Sequence, residues 1–162
     1  MIHSDMDFIE DNLFDIESYS KKFDGIRTVE FVRVIDNKYV FIEAKKSIAK
    51  FENKADFNNN IEEITGKFVH SLHVLSSVKL GINETSFDIS NFNGKKIKFI
   101  LVINAEWAKK ISELKGISKS IRHKISEHSE YINKIFKPEI LVYNKDIACR
   151  LKLVKAEMLE TV

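Results

Sequence analysis

The sequence predicts an α/β protein, in which a mixed sheet combines an antiparallel hairpin with strands joined by helical crossovers. Residues 29–35 and 39–44 are rich in β-branched and aromatic side chains, which favour strands. Residues 97–103, with the sequence IKFILVI, are almost continuously apolar, as in a strand covered on both faces. Between them, apolar residues recur every three or four positions over 61–81, as in a helix. This alternation indicates a single α/β domain over residues 1–162, with helices on both faces of the sheet.

The N-terminal segment predicts an acidic amphipathic helix. Apolar residues over 5–21 fall on one helical stripe, and Ser4 or Asp5 is a suitable N-cap. The first 20 residues contain six acids and no Lys or Arg, so the remainder of the chain carries a formal charge of +8. We therefore expect an acidic helix that lies on a moderately basic body.

The hairpin is the most informative part of the chain, because its register decides which charged side chains meet. Asp36 and Asn37 suit a two-residue turn, whose central residues need positive φ. With that turn, the numbers of paired residues add up to 73, and Glu30 lies opposite Glu43 on the same face as Lys45. A slip of one residue would separate the two carboxylates.

The segment after the hairpin predicts a loop followed by a long helix. Residues 47–60 are polar and include three consecutive asparagines, as in a loop. The helix over 61–81 should end near Gly81, and residues 82–95 then form a loop or an irregular crossover. The strand over 97–103 follows.

The C-terminal third predicts two helices, a strand and a final helix. The helices are expected over 106–114 and 117–136, separated at Gly116, and a short buried strand over 140–143 comes next. Asn144 could cap the final helix. A strand over 145–155 is equally compatible with the apolar pattern there. The final helix would direct the following residues inward: Ile147, Ala148, Leu151, Val154 and Met158.

Composition restricts the cellular setting. The single cysteine, Cys149, excludes an internal disulfide or a site with several cysteine ligands, which fits a reducing compartment. The longest apolar run, residues 99–103, is far too short to span a bilayer, and the acidic first residues lack the pattern of a signal peptide. We expect a cytoplasmic protein with no membrane segment.

The order of elements, together with Glu30 and the tripeptide Glu43-Ala44-Lys45, resembles the PD-(D/E)xK nuclease superfamily, which has the restriction-endonuclease-like fold. The resemblance implies that Glu30 and Glu43 bind Mg²⁺. It also implies that Lys45 orients or deprotonates the attacking water and stabilises charge on the phosphorane. Many members add an acid from the first helix, for which Glu17 is the first candidate and Glu10 the second.

Two functions are compatible with this sequence. The first is Mg²⁺-dependent hydrolysis of phosphodiesters in nucleic acid, for which a basic helix face could bind phosphates. The second is a non-catalytic binding or assembly module with a protein partner, in which Glu30, Glu43 and Lys45 form a surface ladder worth about 0–1 kcal/mol. A homodimer is compatible with either. The basic face consists of Lys115, Lys119, Arg122 and Lys124.

Overall fold

The computed structural model of the protein describes residues 1–88 and 92–156. The strands are β1 (Ile2–His3), β2 (Met6–Asp7), β3 (Leu13–Phe14), β4 (Phe31–Ile35), β5 (Lys38–Lys45), β6 (Lys96–Ile103) and β7 (Glu139–Asn144). The helices are α1 (Ile16–Ser20), α2 (Lys54–Lys79), α3 (Ile111–His128), α4 (Glu130–Ile135) and α5 (Lys145–Arg150). These elements form an α/β fold, as the sequence predicted.

A five-stranded mixed sheet forms the centre of the fold, with the strand order β3-β4-β5-β6-β7. The pairs β3-β4 and β4-β5 are antiparallel, whereas β5-β6 and β6-β7 are parallel. The two crossovers, through α2 and α3, step in the same direction across the sheet. Connections between parallel strands are right-handed, so two connections that step in the same direction place both helices on the same face. There α2 and α3 pack against each other.

The opposite face of the sheet is covered by smaller elements. The β1-β2 ribbon contributes Met6, and the segment that follows it contributes Phe8. From the C-terminal side, α5 contributes Ala148, and Leu153 and Val154 follow. Helices therefore lie on both faces, as predicted, but the two long ones share one face.

The register of the hairpin is confirmed. Val32 pairs with Phe41 and Val34 pairs with Tyr39, so the paired numbers add up to 73. The turn residues Asp36 and Asn37 have φ of +49° and +65°, as a two-residue turn of this kind requires. The charged side chains are therefore placed as the turn chemistry indicated.

The prediction of one helix over residues 5–21 was wrong. This segment forms the β1-β2 ribbon, then β3, and only the last part is helical, in α1. The helix begins at Ile16 because the Asp15 side chain accepts a hydrogen bond from the Ser18 backbone N–H. Upstream, Met6 and Phe8 are two positions apart and both buried, which is the spacing of a strand.

Two further boundaries differ from the prediction. Helix α2 begins at Lys54, inside the predicted loop over 47–60, because buried Phe57 adds a turn to its apolar stripe. Helix α3 begins at Ile111 and not at residue 106, runs through Gly116 and breaks at Ser129. At Gly116 an added Cβ would lie 3.2 Å from the Phe51 ring, so this glycine permits close packing and does not end the helix.

The C-terminal segment is helical where the sequence allowed either a helix or a strand. Asn144 caps α5, and its side chain accepts a hydrogen bond from the Ile147 backbone N–H at 2.9 Å. Leu151, predicted to face inward, is 52% exposed because α5 ends at Arg150. Met158 lies outside the described residues. In the described ranges, no helix has the length and apolar character needed to cross a bilayer.

Candidate active site

Two buried glutamates lie at one end of the hairpin. Since Phe31 pairs with Ile42, Glu30 comes immediately before the paired part of β4, level with Glu43 in β5. Glu30 is 8% exposed and Glu43 is fully buried. The Glu30 Oε2 atom accepts a hydrogen bond from the Ala44 backbone N–H at 2.9 Å, which fixes the carboxyl group against the strand.

Two lysines compensate the charge of Glu43. The Lys67 Nζ atom, from α2, donates to Glu43 Oε1 at 2.7 Å, and the Lys45 Nζ atom lies 3.7 Å from the same oxygen. The second oxygen, Glu43 Oε2, is buried and accepts no hydrogen bond from a backbone group or a lysine in the described ranges, so it is open to a proton from the neighbouring Glu30. A buried acceptor without a donor is costly, so this oxygen marks a place where a proton or a cation would be stabilised.

Glu30 is held in its protonated form at neutral pH. Burial raises the pKa of Glu30 most, and the hydrogen bond to Glu43 and the charge of Glu43 raise it further, to about 9 from an ordinary value of 4.5. Its hydrogen bond with Ala44 and the charge of Lys67 act in the opposite direction but are weaker. A neutral Glu30 can donate its proton to Glu43, so that the two acids share one proton, as like charges in a low dielectric require.

A third glutamate, Glu63, connects the two lysines. Lys45 Nζ donates to Glu63 Oε1 at 3.1 Å, and Lys67 Nζ lies 3.9 Å from the same oxygen. The hydrogen bond from Lys45 is the main reason that the pKa of Glu63 is lowered. For Lys67, burial lowers the pKa, but the attraction of Glu43, Glu30 and Glu63 outweighs burial and the pKa is raised. Both lysines are thereby held close to Glu43.

Glu17, and not Glu10, reaches this site. The Glu17 backbone N–H donates to the Glu30 carbonyl oxygen at 3.3 Å, which brings α1 beside the end of the hairpin. Its exposed side chain lines a cavity of about 250 Å³ with Thr28, Glu63 and Lys67, among others. Glu10 instead pairs with the amino group of Met1 at 3.4 Å.

A histidine that no sequence pattern indicated, His3, lies beside Glu17 and Glu30. Ligand atoms of His3, Glu17 and Glu30 all lie within 4.8 Å of one another. His3 belongs to β1, so the N-terminal ribbon approaches the site from the face opposite α2. The site therefore lies at the end of the sheet, where elements from both faces meet.

Of the residues that the sequence predicted for the site, Glu43 lies beside Glu30 and Lys45, and Glu17 lies beside Glu30. The sequence did not predict Lys67, Glu63 and His3. A local signal existed for the first two, because Glu63 and Lys67 are four positions apart and share a helix face. Such pairs are common on solvated helices, so only the packing of α2 on the sheet identifies this one. His3 had no local signal.

Neighbouring acids and lysines can bind a divalent cation and an anionic group side by side. The oxygen atoms of Glu17, Glu30 and Glu43 are ligands of the type that Mg²⁺ prefers. The amines of Lys45 and Lys67 can stabilise negative charge that develops beside them.

Comparison of the chain with protein-family models, with curated proteins and with solved structures gives no match. The function of this site is therefore inferred from its own residues.

Proposed function

We propose that the protein hydrolyses phosphodiester bonds of nucleic acid with Mg²⁺ at the site formed by Glu17, Glu30, Glu43 and Lys45. The observation that carries this proposal is the fully buried Glu43 beside a second buried glutamate, Glu30, two carboxyl groups that one cation could bridge in place of their shared proton. The likeness of Glu30 and Glu43-Ala44-Lys45 to the PD-(D/E)xK nucleases supports the same chemistry.

The residues present fit a divalent cation. The donor set consists of carboxylates, and two of them, Glu30 and Glu43, are buried side by side. Glu30 and Glu43 would hold the ion, and Glu17 could add an oxygen from α1. When bound, Mg²⁺ polarises a phosphoryl oxygen and lowers the pKa of a bound water. Binding would replace the proton that Glu30 and Glu43 share, since metal ligands must be deprotonated.

The two lysines would perform different tasks. Lys45 is partly exposed and lies 3.7 Å from Glu43, so its amine can hold the attacking water and neutralise charge on the pentacovalent phosphorus. Lys67 is more buried and bonds directly to Glu43 Oε1, so it holds this carboxyl group in its orientation. Lys45 therefore acts on the substrate, and Lys67 acts through Glu43.

One observation favours the alternative of a non-catalytic binding or assembly module. Lys67 already pairs with Glu43 at 2.7 Å, so the buried charge is compensated within the chain without a metal. In such a protein the cluster would serve folding specificity. The acidic helix predicted over residues 5–21 could have docked on a basic partner, but it is not formed, and Asp5 and Asp7 of that segment pair with Lys46 and Lys155.

A cleavage assay tests the proposal. Supercoiled plasmid, labelled single-stranded DNA and labelled RNA are incubated with the wild type in EDTA, Mg²⁺ or Mn²⁺. We expect cleavage only with a divalent ion, and a loss of about 100-fold or more in Glu43→Gln and in Lys45→Met.

Matched controls come from adjacent exposed residues. Glu62→Gln and Lys46→Met remove the same charges next to the site, the latter with loss of the exposed ion pair to Asp5, and both should retain the wild-type rate. Cleavage that persists in Glu43→Gln would indicate a contaminating nuclease. Absence of metal-dependent cleavage for all three substrates would contradict the proposal and favour the binding module.

A further inference from the structure

His3 gives the site a nitrogen ligand, which the resemblance to nucleases does not include. Its imidazole, with the carboxylates of Glu17 and Glu30, offers three ligand atoms within 4.8 Å of one another. We infer that His3, Glu17 and Glu30 bind one first-row transition-metal ion, and that His3 makes this site prefer such an ion over Mg²⁺. The inference deepens the proposed function and rests on it for the role of the metal in cleavage. Metal binding by these three residues does not depend on whether the protein cleaves nucleic acid.

The fold holds His3 in place at the site. The two-residue turn at Ser4 and Asp5, both with positive φ, folds β1 back onto β2. The side chain of Asn104, just after β6, donates to the Ser4 carbonyl oxygen at 3.2 Å and anchors this turn to the sheet. The ribbon is therefore fixed to the end of the sheet.

The orientation of the imidazole is restricted by two phenylalanines. Its ring centroid lies 6.4 Å from that of Phe8, in an edge contact, and 5.8 Å from that of Phe31. Phe31 directly follows Glu30 and is fully buried. Neither nitrogen of His3 makes a hydrogen bond to another residue in ranges 1–88 and 92–156, so a lone pair is available for coordination.

The cavity that Glu17 lines also contains buried hydroxyl groups. The hydroxyl groups of Ser20 and Thr28, 2% and 4% exposed, line the cavity that Glu17 lines, and neither has a hydrogen-bond partner among the described residues. Hydroxyl groups can donate to ligating carboxylates or to water on an ion, and such outer contacts orient metal ligands.

The donor set determines which ion is preferred. Mg²⁺ binds oxygen ligands and retains several waters, so an imidazole adds little to its affinity. Imidazole nitrogen suits first-row transition metals, whose affinities for nitrogen and oxygen sites follow the Irving–Williams order. One histidine with two glutamates therefore favours Co²⁺, Fe²⁺ or Zn²⁺ over Mg²⁺.

Titration calorimetry with Co²⁺ and with Mg²⁺ tests this inference. The untagged full chain is required, because a histidine tag would bind Co²⁺. We expect the wild type to bind Co²⁺ more tightly than Mg²⁺. His3→Gln should weaken Co²⁺ binding by about 10-fold or more and change Mg²⁺ binding by less than about 2-fold. His73→Gln, an exposed histidine on α2, serves as the control and should leave both affinities unchanged.

A spectroscopic measurement on the wild type avoids dependence on the variant's folding. The Co²⁺-loaded protein should show a strongly shifted, exchangeable proton resonance from a coordinated imidazole, and His3→Gln should lack it. Equal Co²⁺ affinity in wild type and His3→Gln, or absence of that resonance, would overturn the inference.

The outcomes separate this inference from the proposed function. Metal-dependent cleavage without a role for His3 in Co²⁺ affinity would overturn the inference and leave hydrolysis standing. Co²⁺ binding through His3 without cleavage of any nucleic acid would support the inference and contradict hydrolysis. Absence of binding by either ion would overturn both.

Discussion

Glu30 connects the chemistry of the site with the stability of the protein. Its carboxyl group is buried against Glu43, and its pKa is raised to about 9, first by burial and then by the hydrogen bond and charge of Glu43. Between pH 4.5 and 9, the folded state keeps a proton that the unfolded chain has lost. The unfolded state then binds fewer protons, so the free energy of unfolding falls as pH rises through this window.

Replacement of Glu30 by Gln should remove this pH dependence. In EDTA, the wild type should lose stability as pH rises from 5 to 8, and Glu30→Gln should not. The difference in free energy of unfolding, variant minus wild type, should therefore grow by roughly 1 kcal/mol per pH unit. Urea denaturation across that range measures it. Glu62 is exposed on α2, so the free energy of unfolding of Glu62→Gln should vary with pH in parallel with that of the wild type. Parallel curves for Glu30→Gln as well would show that Glu30 is ionised in the folded protein.

At the level of residues, the sequence could predict the part of the site that lies on one local element. Glu30, Glu43 and Lys45 share a face because side chains alternate along two strands joined by a short turn. Lys67 and His3 could not be predicted, because they arrive from α2 and from the N-terminal ribbon. Their contacts depend on how these elements pack on the sheet.

The turn of the hairpin is the element that sets the register of the site. Asp36 and Asn37 both have positive φ, which is unfavourable for most side chains and most unfavourable for β-branched ones. A different turn would shift the pairing and move Glu30 away from Glu43. The arrangement of the acids therefore depends on two residues at the opposite end of the hairpin.

Substitutions at Asn37 should reveal this dependence. Asn37→Val should cost about 1–2 kcal/mol of stability, whereas Asn37→Gly should preserve or increase stability. Chemical denaturation of the two variants measures the difference, and Lys38→Val, in the extended strand next to the turn, is the control. If Asn37→Val were as stable as Asn37→Gly, residue 37 would not adopt the left-handed conformation.

The other elements show where a local pattern is a reliable guide. The strand over 97–103 and the helix that contains residues 61–79 were predictable because long apolar patterns specify their own structure. The segment over 5–21 was not, since the helical spacing of its apolar residues competes with burial of Met6 and Phe8 in a ribbon. The prediction that a helix ends at Gly116 was wrong. This glycine is needed for the contact with Phe51, which is visible only in the packed structure.

For the whole molecule, the position of the site follows from the topology. The two long helices cover one face of the sheet, and the N-terminal ribbon with α5 covers the other. Glu43, Lys45 and Lys67 belong to the first layer, and His3 belongs to the second. Both layers meet at the end of the hairpin beside Glu30, and Glu17 connects this cluster with the cavity that Glu63 and Lys67 also line.

Metal-linked stability tests the central claim, that the buried pair Glu30 and Glu43 is a divalent-cation site. Thermal unfolding is recorded for the wild type, Glu43→Gln and Glu62→Gln in EDTA and in Mg²⁺, with circular dichroism to verify that each variant folds.

At 100 times its dissociation constant, the ion should stabilise the wild type and Glu62→Gln by about 2.7 kcal/mol, and Glu43→Gln by much less. An equal rise in midpoint for all three proteins, or no rise in any of them, would contradict the claim and leave Glu43 as one partner of a buried ion pair with Lys67.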